Sequence, residues 1–358
     1  MIESFTIRNF RSFNDVTIRN SRKVNVLVGD NGSGKTALLE AIFLAAGISP
    51  ELVMRTRGWR GSAPGQIQGT IEDIHNELWS DLFYKFQTSK PAYIKLEGKG
   101  DENRSVTVTL KKLGARRVIP PSRRRPQERP RVITENPDTP IQFRWTIQSF
   151  GDLISEPYFL ENRLIFPQTP ADPIKAIFFA SNQGVQQNET AARFSSLSQS
   201  FLDHDFTDRF NQIYPRVRNL SVEINLGVPV LFASVDGLPR KIPLGLASGG
   251  MNKLVAILLG MAAQASAIVL IDEVENGFYH RHMDLIWKAL FDFARQYDCQ
   301  LFVSTHSAEC LEAVARLAQQ NPAEFSMMRA VNTGDGTLIR QFDGERFSHA
   351  ILDDVEVR

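Results

Sequence analysis

Eight residues near the start of the chain, Gly29-Asp30-Asn31-Gly32-Ser33-Gly34-Lys35-Thr36, fit the pattern G-x-x-x-x-G-K-[ST] in full. Glycines at these spacings let backbone N–H groups turn inward around phosphate oxygens. The lysine can bridge β- and γ-phosphates, and the hydroxyl after it can hold Mg²⁺. Three further segments carry the other residue types such a site needs. Ile268-Val269-Leu270-Ile271 is apolar and ends in Asp272-Glu273, one acid to support Mg²⁺ through water and the next to polarise an attacking water. Leu301-Phe302-Val303-Ser304-Thr305 is also apolar and ends in His306, whose neutral imidazole can donate to a γ-phosphate and order the water. Ser248-Gly249-Gly250 joins a helix-capping hydroxyl to two glycines whose N–H groups are free to meet an anion. Each segment alone has a plainer reading: a chance glycine turn, a strand end with solvated acids, a capped helix, a strand-end histidine. Together they read as one site for ATP and Mg²⁺.

These residues need rigid elements to hold them. Lys23–Val28 reads as a β-branched strand running into the glycine loop, and Lys35–Ala46 as a helix with Leu38, Leu39, Ile42 and Phe43 at helical spacing. Ile2–Ile7 and Val16–Ile18 alternate like two strands around the turn Arg8-Asn9-Phe10-Arg11-Ser12-Phe13. Further strands are expected at 92–96, 105–110, 175–179, 220–226 and 228–235, and helices at 73–86 and 188–214. Ser248 lies 24 residues before Asp272, room for one helix and one strand. Leu254–Ile271 has no charge over 18 residues, close to a membrane-spanning length. Gly260, Gln264 and Ser266 interrupt it and two acids follow, so it reads as a buried helix, a turn and a buried parallel strand. No membrane partner is expected. No internal repeat or sustained heptad is present.

Composition sets the frame. The chain has 358 residues, is 42% hydrophobic and 23% charged, and carries a net charge of +1, which fits a globular protein and excludes a disordered polycation. Two cysteines, Cys299 and Cys310, make no disulfide framework, and no signal peptide is visible; a reducing cytoplasm is the expected location.

The motifs resemble the ABC-type ATPase heads of the SMC, RecF and OLD groups, the stand-alone OLD-like ATPases above all. The resemblance is carried by Asn9-Phe10-Arg11-Ser12-Phe13, Asp30 to Thr36, Ser248-Gly249-Gly250, Asp272-Glu273-Val274-Glu275-Asn276-Gly277 and Ser304-Thr305-His306-Ser307. It is strong over 1–47 and 220–311 and weak between. It implies an α/β fold with antiparallel N-terminal strands, a parallel core and a helical lobe in a single domain. The core lobe would come from 1–110 and 220–358, and the insertion and helical lobe from 111–219. It also implies a homodimer or higher oligomer that sandwiches two ATP molecules, the loop of one subunit facing the Ser248 turn of the other. Asn31 would then touch the γ-phosphate, Arg11 would lie near the phosphates or base, and Glu275-Asn276-Gly277 would sit across the dimer interface. Met251 departs from the glutamine or glutamate common after the two glycines, and Gln87 is the candidate for the Mg²⁺-contacting glutamine of the Q-loop. OLD-like proteins often act in antiphage defence, some with a Toprim nuclease domain. Only 51 residues follow Ser307, too few for that domain, so a separate effector such as a nuclease is expected.

Lys111–Arg131 holds nine basic residues against one acid, Glu128, a local charge of +8. Such a segment can contact DNA phosphates, dock an acidic partner, or simply be solvated. It contains no aromatic residue to stack on bases. His280 with His282, Asp203-His204-Asp205 and the acids 353, 354 and 356 lack the partners a metal site needs. The functional alternatives are an ATP-hydrolysing switch, an ATP-holding scaffold that restrains a toxic effector, and a RecF-like repair ATPase.

Overall fold

The structure is a computed structural model that describes residues 1–61, 77–98, 103–110, 117–119, 131–133, 141–160, 163–167 and 174–353. In chain order it begins with β1 (Ile2–Phe10), β2 (Phe13–Ile18), β3 (Val24–Val28), α1 (Lys35–Gly47), α2 (Glu51–Trp59), β4 (Ala92–Gly98) and β5 (Arg104–Leu110). Short β6 (Arg117–Ile119) and β7 (Arg131–Ile133) precede β8 (Ile141–Ile147), β9 (Gly151–Ser155), β10 (Tyr158–Leu160), β11 (Arg163–Ile165) and β12 (Ala176–Phe179). Then come α3 (Gln187–Gln199), α4 (Asp203–Ile213), β13 (Val217–Asn225), β14 (Val228–Val235), β15 (Ile242–Pro243), α5 (Leu244–Ala247) and α6 (Gly249–Ala263). The chain closes with β16 (Ile268–Ile271), α7 (Met283–Gln296), β17 (Gln300–Ser304), α8 (Ala308–Gln320), β18 (Phe325–Asn332), β19 (Thr337–Asp343) and α9 (Gly344–Leu352).

Two six-stranded sheets carry the architecture. One is antiparallel, in the order β2-β1-β4-β5-β8-β9. The other runs β12-β16-β17-β3-β18-β19 and is parallel except for its edge strand β19. The parallel strands read as unbroken apolar runs because both their faces are covered. Val24, Val26, Val269, Ile271, Leu301 and Val303 point into a core shared with α6, α7 and α8. Leu27, Ile268, Leu270 and Phe302 point into a second core shared with α1 and the antiparallel sheet. Helix α1 is apolar almost all round because it is packed on both sides; even Trp145 of β8 reaches it, its indole N–H donating to the carbonyl of Leu44 at 3.2 Å.

Several expectations shift. Of the helix expected over 73–86, the described part is helical over 77–79 and then tightens into two 3₁₀ turns, Ser80–Leu82 and Tyr84–Phe86, with Lys85 in the left-handed region at φ 47°. The 188–214 helix is two helices, broken at Ser200–Leu202 where Phe201 takes φ 59°. Strands β8, β9 and β12 lie in the stretch assigned to an insertion, yet they are bonded into the two main sheets. Most of the basic segment Lys111–Arg131 lies outside the described residues. The uncharged stretch 254–271 is the end of α6, a turn and β16. Among the described residues no helix is long and apolar enough to cross a membrane.

Candidate nucleotide site

Strands β16, β17 and β3 are parallel neighbours, so their C-terminal ends share one edge of the sheet. That edge gathers the glycine loop after β3, Asp272-Glu273 after β16 and His306 after β17. A cleft of about 640 Å³ opens there. Arg11, Asn31, Gly32, Gly34, Lys35, Thr36, Asp272 and Glu273 line it.

The loop's shape is dictated by its glycines. Gly29, Gly32 and Gly34 take φ of 138°, 75° and 101°, which side-chain-bearing residues rarely adopt. A Cβ on Gly34 would lie 2.5 Å from Ser12 Oγ and 2.8 Å from Thr337 Oγ1. The loop is pinned from that side: Thr337 donates its hydroxyl to the Ser33 carbonyl at 2.8 Å and its N–H to the Ser12 carbonyl at 2.9 Å. Ser33 itself is buried. The loop then delivers the N-terminus of α1, with its partial positive charge, to the cleft. The Lys35 ammonium donates to the carbonyls of Gly29 and Asp30 at 2.6 and 2.9 Å. Burial pulls the Lys35 pKa down, against the opposing pull of Asp272, Glu273, Glu275 and Asp30.

The acids are held as tightly. Thr36 donates its hydroxyl to Asp272 Oδ2 at 3.0 Å, and Ser304 donates to Asp272 Oδ1 at 2.6 Å. The same Ser304 oxygen accepts the N–H of Glu273 at 2.8 Å. Glu273 sits at φ 48°, a strained left-handed conformation that aims its side chain into the cleft. Asn276 donates its amide to Glu273 Oε2 at 2.6 Å. His306 is half-exposed, with Nδ1 3.9 Å from Glu273 Oε1 and 3.0 Å from Glu275 Oε1. The Thr36 hydroxyl and the Asp272 carboxylate are hard oxygens of the kind that suits Mg²⁺.

Ser248, Gly249 and Gly250 do not line this cleft. Ser248 caps α6, accepting the Met251 N–H at 3.4 Å, and is half-buried; Gly249 is exposed. Gly250 is pressed against the carbonyl of Gly277, where a Cβ would collide. Lys253, one turn along α6, donates to the carbonyls of Glu273 and Asn276 at 3.0 and 3.1 Å. Burial pulls its pKa down to about 8, against Glu275, Asp272 and Glu273. So α6 is locked to the turn that follows the acids.

Arg11 forms the turn between β1 and β2 at φ 51°. Its guanidinium pairs with Asp81 at 2.6 Å and Glu40 at 3.2 Å, and Arg60 pairs with the other Glu40 oxygen at 2.9 Å. Burial pushes the Glu40 carboxyl up, against the pull of Arg11 and Arg60. Asn9 latches the strand end to the carbonyls of Gln87 and Lys90 at 3.2 and 2.8 Å.

One sequence expectation needs correction. Gln87 is not at the cleft; it sits in the turn that Asn9 holds. The cleft wall beside Asp272 comes instead from Ser181 and Asn182, just after β12, a strand the parallel sheet places next to β16. Glu275 turns inward to His306 of its own subunit and is 11% exposed. Arg60, Asp81, Ser304, Thr337 and the lysine of α6 also went unassigned to the site; a cation five residues after a capping serine was the one local signal for Lys253.

Comparisons with known proteins agree with this geometry. Residues 24–312 match the family described as "AAA domain, putative AbiEii toxin, Type IV TA system". The chain is 22% identical over 356 residues to an "ATP/GTP phosphatase" of Helicobacter pylori, covering 89% of each. It is 54% identical over 43 residues to the "DNA replication and repair protein RecF" of Idiomarina loihiensis, a match to 12% of each chain. Among solved structures, a "SmcHead bound to the C-winged helix domain of ScpA" superposes with a TM-score of 0.52 at 11% identity, covering 96% of this chain and 97% of that one. A nucleotide loop, paired acids and a match over most of the sequence thus converge: the chain belongs to that AAA-domain family, is an ATPase, and has the fold of an SMC head.

Proposed function

We propose that the protein is an ATP-driven switch that works as a head-to-head dimer or higher oligomer, the ATPase component of an antiphage defence system controlling a separate effector such as a nuclease. One observation carries the dimer: Lys35, Thr36, Asp272 and Glu273 share one cleft while Ser248, Gly249 and Gly250 lie outside it, at a half-exposed helix start. A helix start that does not meet its own nucleotide, with Gly249 exposed, suits a second copy's triphosphate. The toxin in the family's description supports the defence role.

The residues then take these roles. The glycine-loop N–H groups and Lys35 cradle the phosphates, and Asn31 and Arg11 contact the nucleotide from the loop and the β1–β2 turn. Thr36 and Asp272 would hold Mg²⁺, which neutralises charge on the β- and γ-phosphates when bound. Glu273 accepts a proton from the water that attacks the γ-phosphorus as the bond to the bridging oxygen breaks. His306 orders the γ-phosphate, and Ser248 of the other copy closes the site.

The test is complementation. Lys35→Ala and Ser248→Arg proteins should each be inactive alone. Mixed, they should regain part of the parent turnover, because a heterodimer holds one intact composite site. No recovery on mixing, with heterodimers verified by mass, would refute the shared site.

A repair ATPase that contacts DNA is the second reading, favoured by the +8 segment Lys111–Arg131 and the RecF match. Deleting that segment should then flatten the salt dependence of ATP-dependent duplex binding by several units of slope. An unchanged slope removes the segment from DNA contact.

A further inference from the structure

Glu275 is an acid that the scheme above leaves without work. It follows Asp272-Glu273 by two residues, yet it does not line the cleft. Its Oε1 accepts the backbone N–H of His306 at 2.8 Å and lies 3.0 Å from the ring Nδ1 of the same residue. Its Oε2 is buried with no hydrogen-bond partner among the described residues. A buried carboxylate so committed to one residue needs a counter-charge. The nearby Lys253 ammonium, anchored on the carbonyls of Glu273 and Asn276, is in electrostatic reach of Glu275 without an ion pair between them.

We propose that Glu275 is a positioning residue for ATP hydrolysis. It holds Nδ1–H of His306 so that Nε2 faces the cleft, and it is the counter-ion of the imidazolium that donates from Nε2 to a γ-phosphate oxygen. This rests on the role given to His306 above.

An ionised carboxylate only accepts, so the ring nitrogen beside it carries hydrogen. A ring with its single proton on Nδ1 has only a lone pair on Nε2 and cannot donate to phosphate. Donation from Nε2 therefore requires both protons, in place of the neutral ring expected from the sequence, and the cation so formed lies against the Glu275 carboxylate. The bond from the His306 backbone N–H to the same oxygen fixes the main chain at the end of β17, so ring and backbone are oriented together. Glu275 exchanges no proton in the reaction: water oxygen bonds to phosphorus, the bridging oxygen leaves, and the water's proton passes to Glu273.

The experiment compares Glu275→Gln, His306→Ala and the double variant. Glu275→Gln should lower kcat about tenfold or more, as loss of a residue that orients a functional histidine does. Affinity for a fluorescent non-hydrolysable ATP analogue should stay within about threefold of the parent, since phosphate cradling does not use Glu275. Adding Glu275→Gln to His306→Ala should cost nothing further. Spectra of ¹⁵N-histidine protein bound to the analogue and Mg²⁺ should show two protonated ring nitrogens for His306 in the parent and not in Glu275→Gln. The His306 signal is identified by its loss in His306→Ala. Parent-rate turnover in Glu275→Gln beside a slow His306→Ala, or unchanged ring nitrogens, overturns the proposal alone. Parent-rate turnover in His306→Ala overturns it together with the role of His306.

Discussion

Lys253 shows how a single side chain can join two functional segments. Its ammonium, half-buried on α6, donates to carbonyls of the turn after the acids at 3.0 and 3.1 Å. Burial lowers its pKa from 10.5 to about 8, so the unfolded chain binds the proton more tightly than the folded one. Stability must therefore rise with pH between about 8 and 10.5, and the penalty for holding the charged form is fully present below pH 8. Against a Lys253→Met variant, the parent's unfolding free energy should gain about 3 kcal/mol across that window. Chemical denaturation of both proteins at pH 7.5, 9 and 10.5 measures it. Parallel pH curves would mean that burial does not disfavour the charged lysine.

At the scale of elements, the glycine loop is a joint between three pieces of chain: the β1–β2 turn, the start of β19 and the N-terminus of α1. Gly34 is where they meet, at φ 101° with Ser12 Oγ and Thr337 Oγ1 in the space a Cβ would fill. Gly34→Ala should therefore cost about 1–3 kcal/mol of stability and weaken ATP binding at least about tenfold. A thermal melt and a nucleotide titration read the two effects separately. Unchanged affinity would show that the loop can shift without loss of its phosphate cradle. The same joint explains why the N-terminal hairpin belongs to the site. Arg11 lines the cleft from the β1–β2 turn, and Asn9 latches the end of β1 to the turn at 87–90.

For the whole molecule, the prediction is a change of mass. With ATP and Mg²⁺, Glu273→Gln should turn over about a hundredfold more slowly than the parent while still binding ATP. Sedimentation should then find it at twice the monomer mass. Parent-rate hydrolysis would remove Glu273 as the base, and a monomer with ATP bound would argue against a site completed by a second copy.

The sequence by itself determined the chemistry and the core fold. G-x-x-x-x-G-K-T, Asp272-Glu273 and His306 are local patterns, and each apolar strand that presents them is legible because a strand buried on both faces must be apolar throughout. What the sequence left open was set by sheet order. Neighbouring strands come from residues 24–28, 176–179, 268–271 and 300–304, far apart in the chain, so nothing local to Ser181 or Asn182 marks them as the wall beside Asp272. Gln87 was a plausible glutamine in sequence and fell elsewhere for the same reason. The stretch expected as one helix over 73–86 is helical at 77–79 and leaves the α-helix at Ser80, which helical spacing does not mark. Asp81 from that stretch is held by Arg11 and Arg57, contacts from far away in sequence. The inward turn of Glu275 was likewise a tertiary outcome. Only the adjacency of β16 and β17 brings it within hydrogen-bond distance of His306, 31 residues later in the chain.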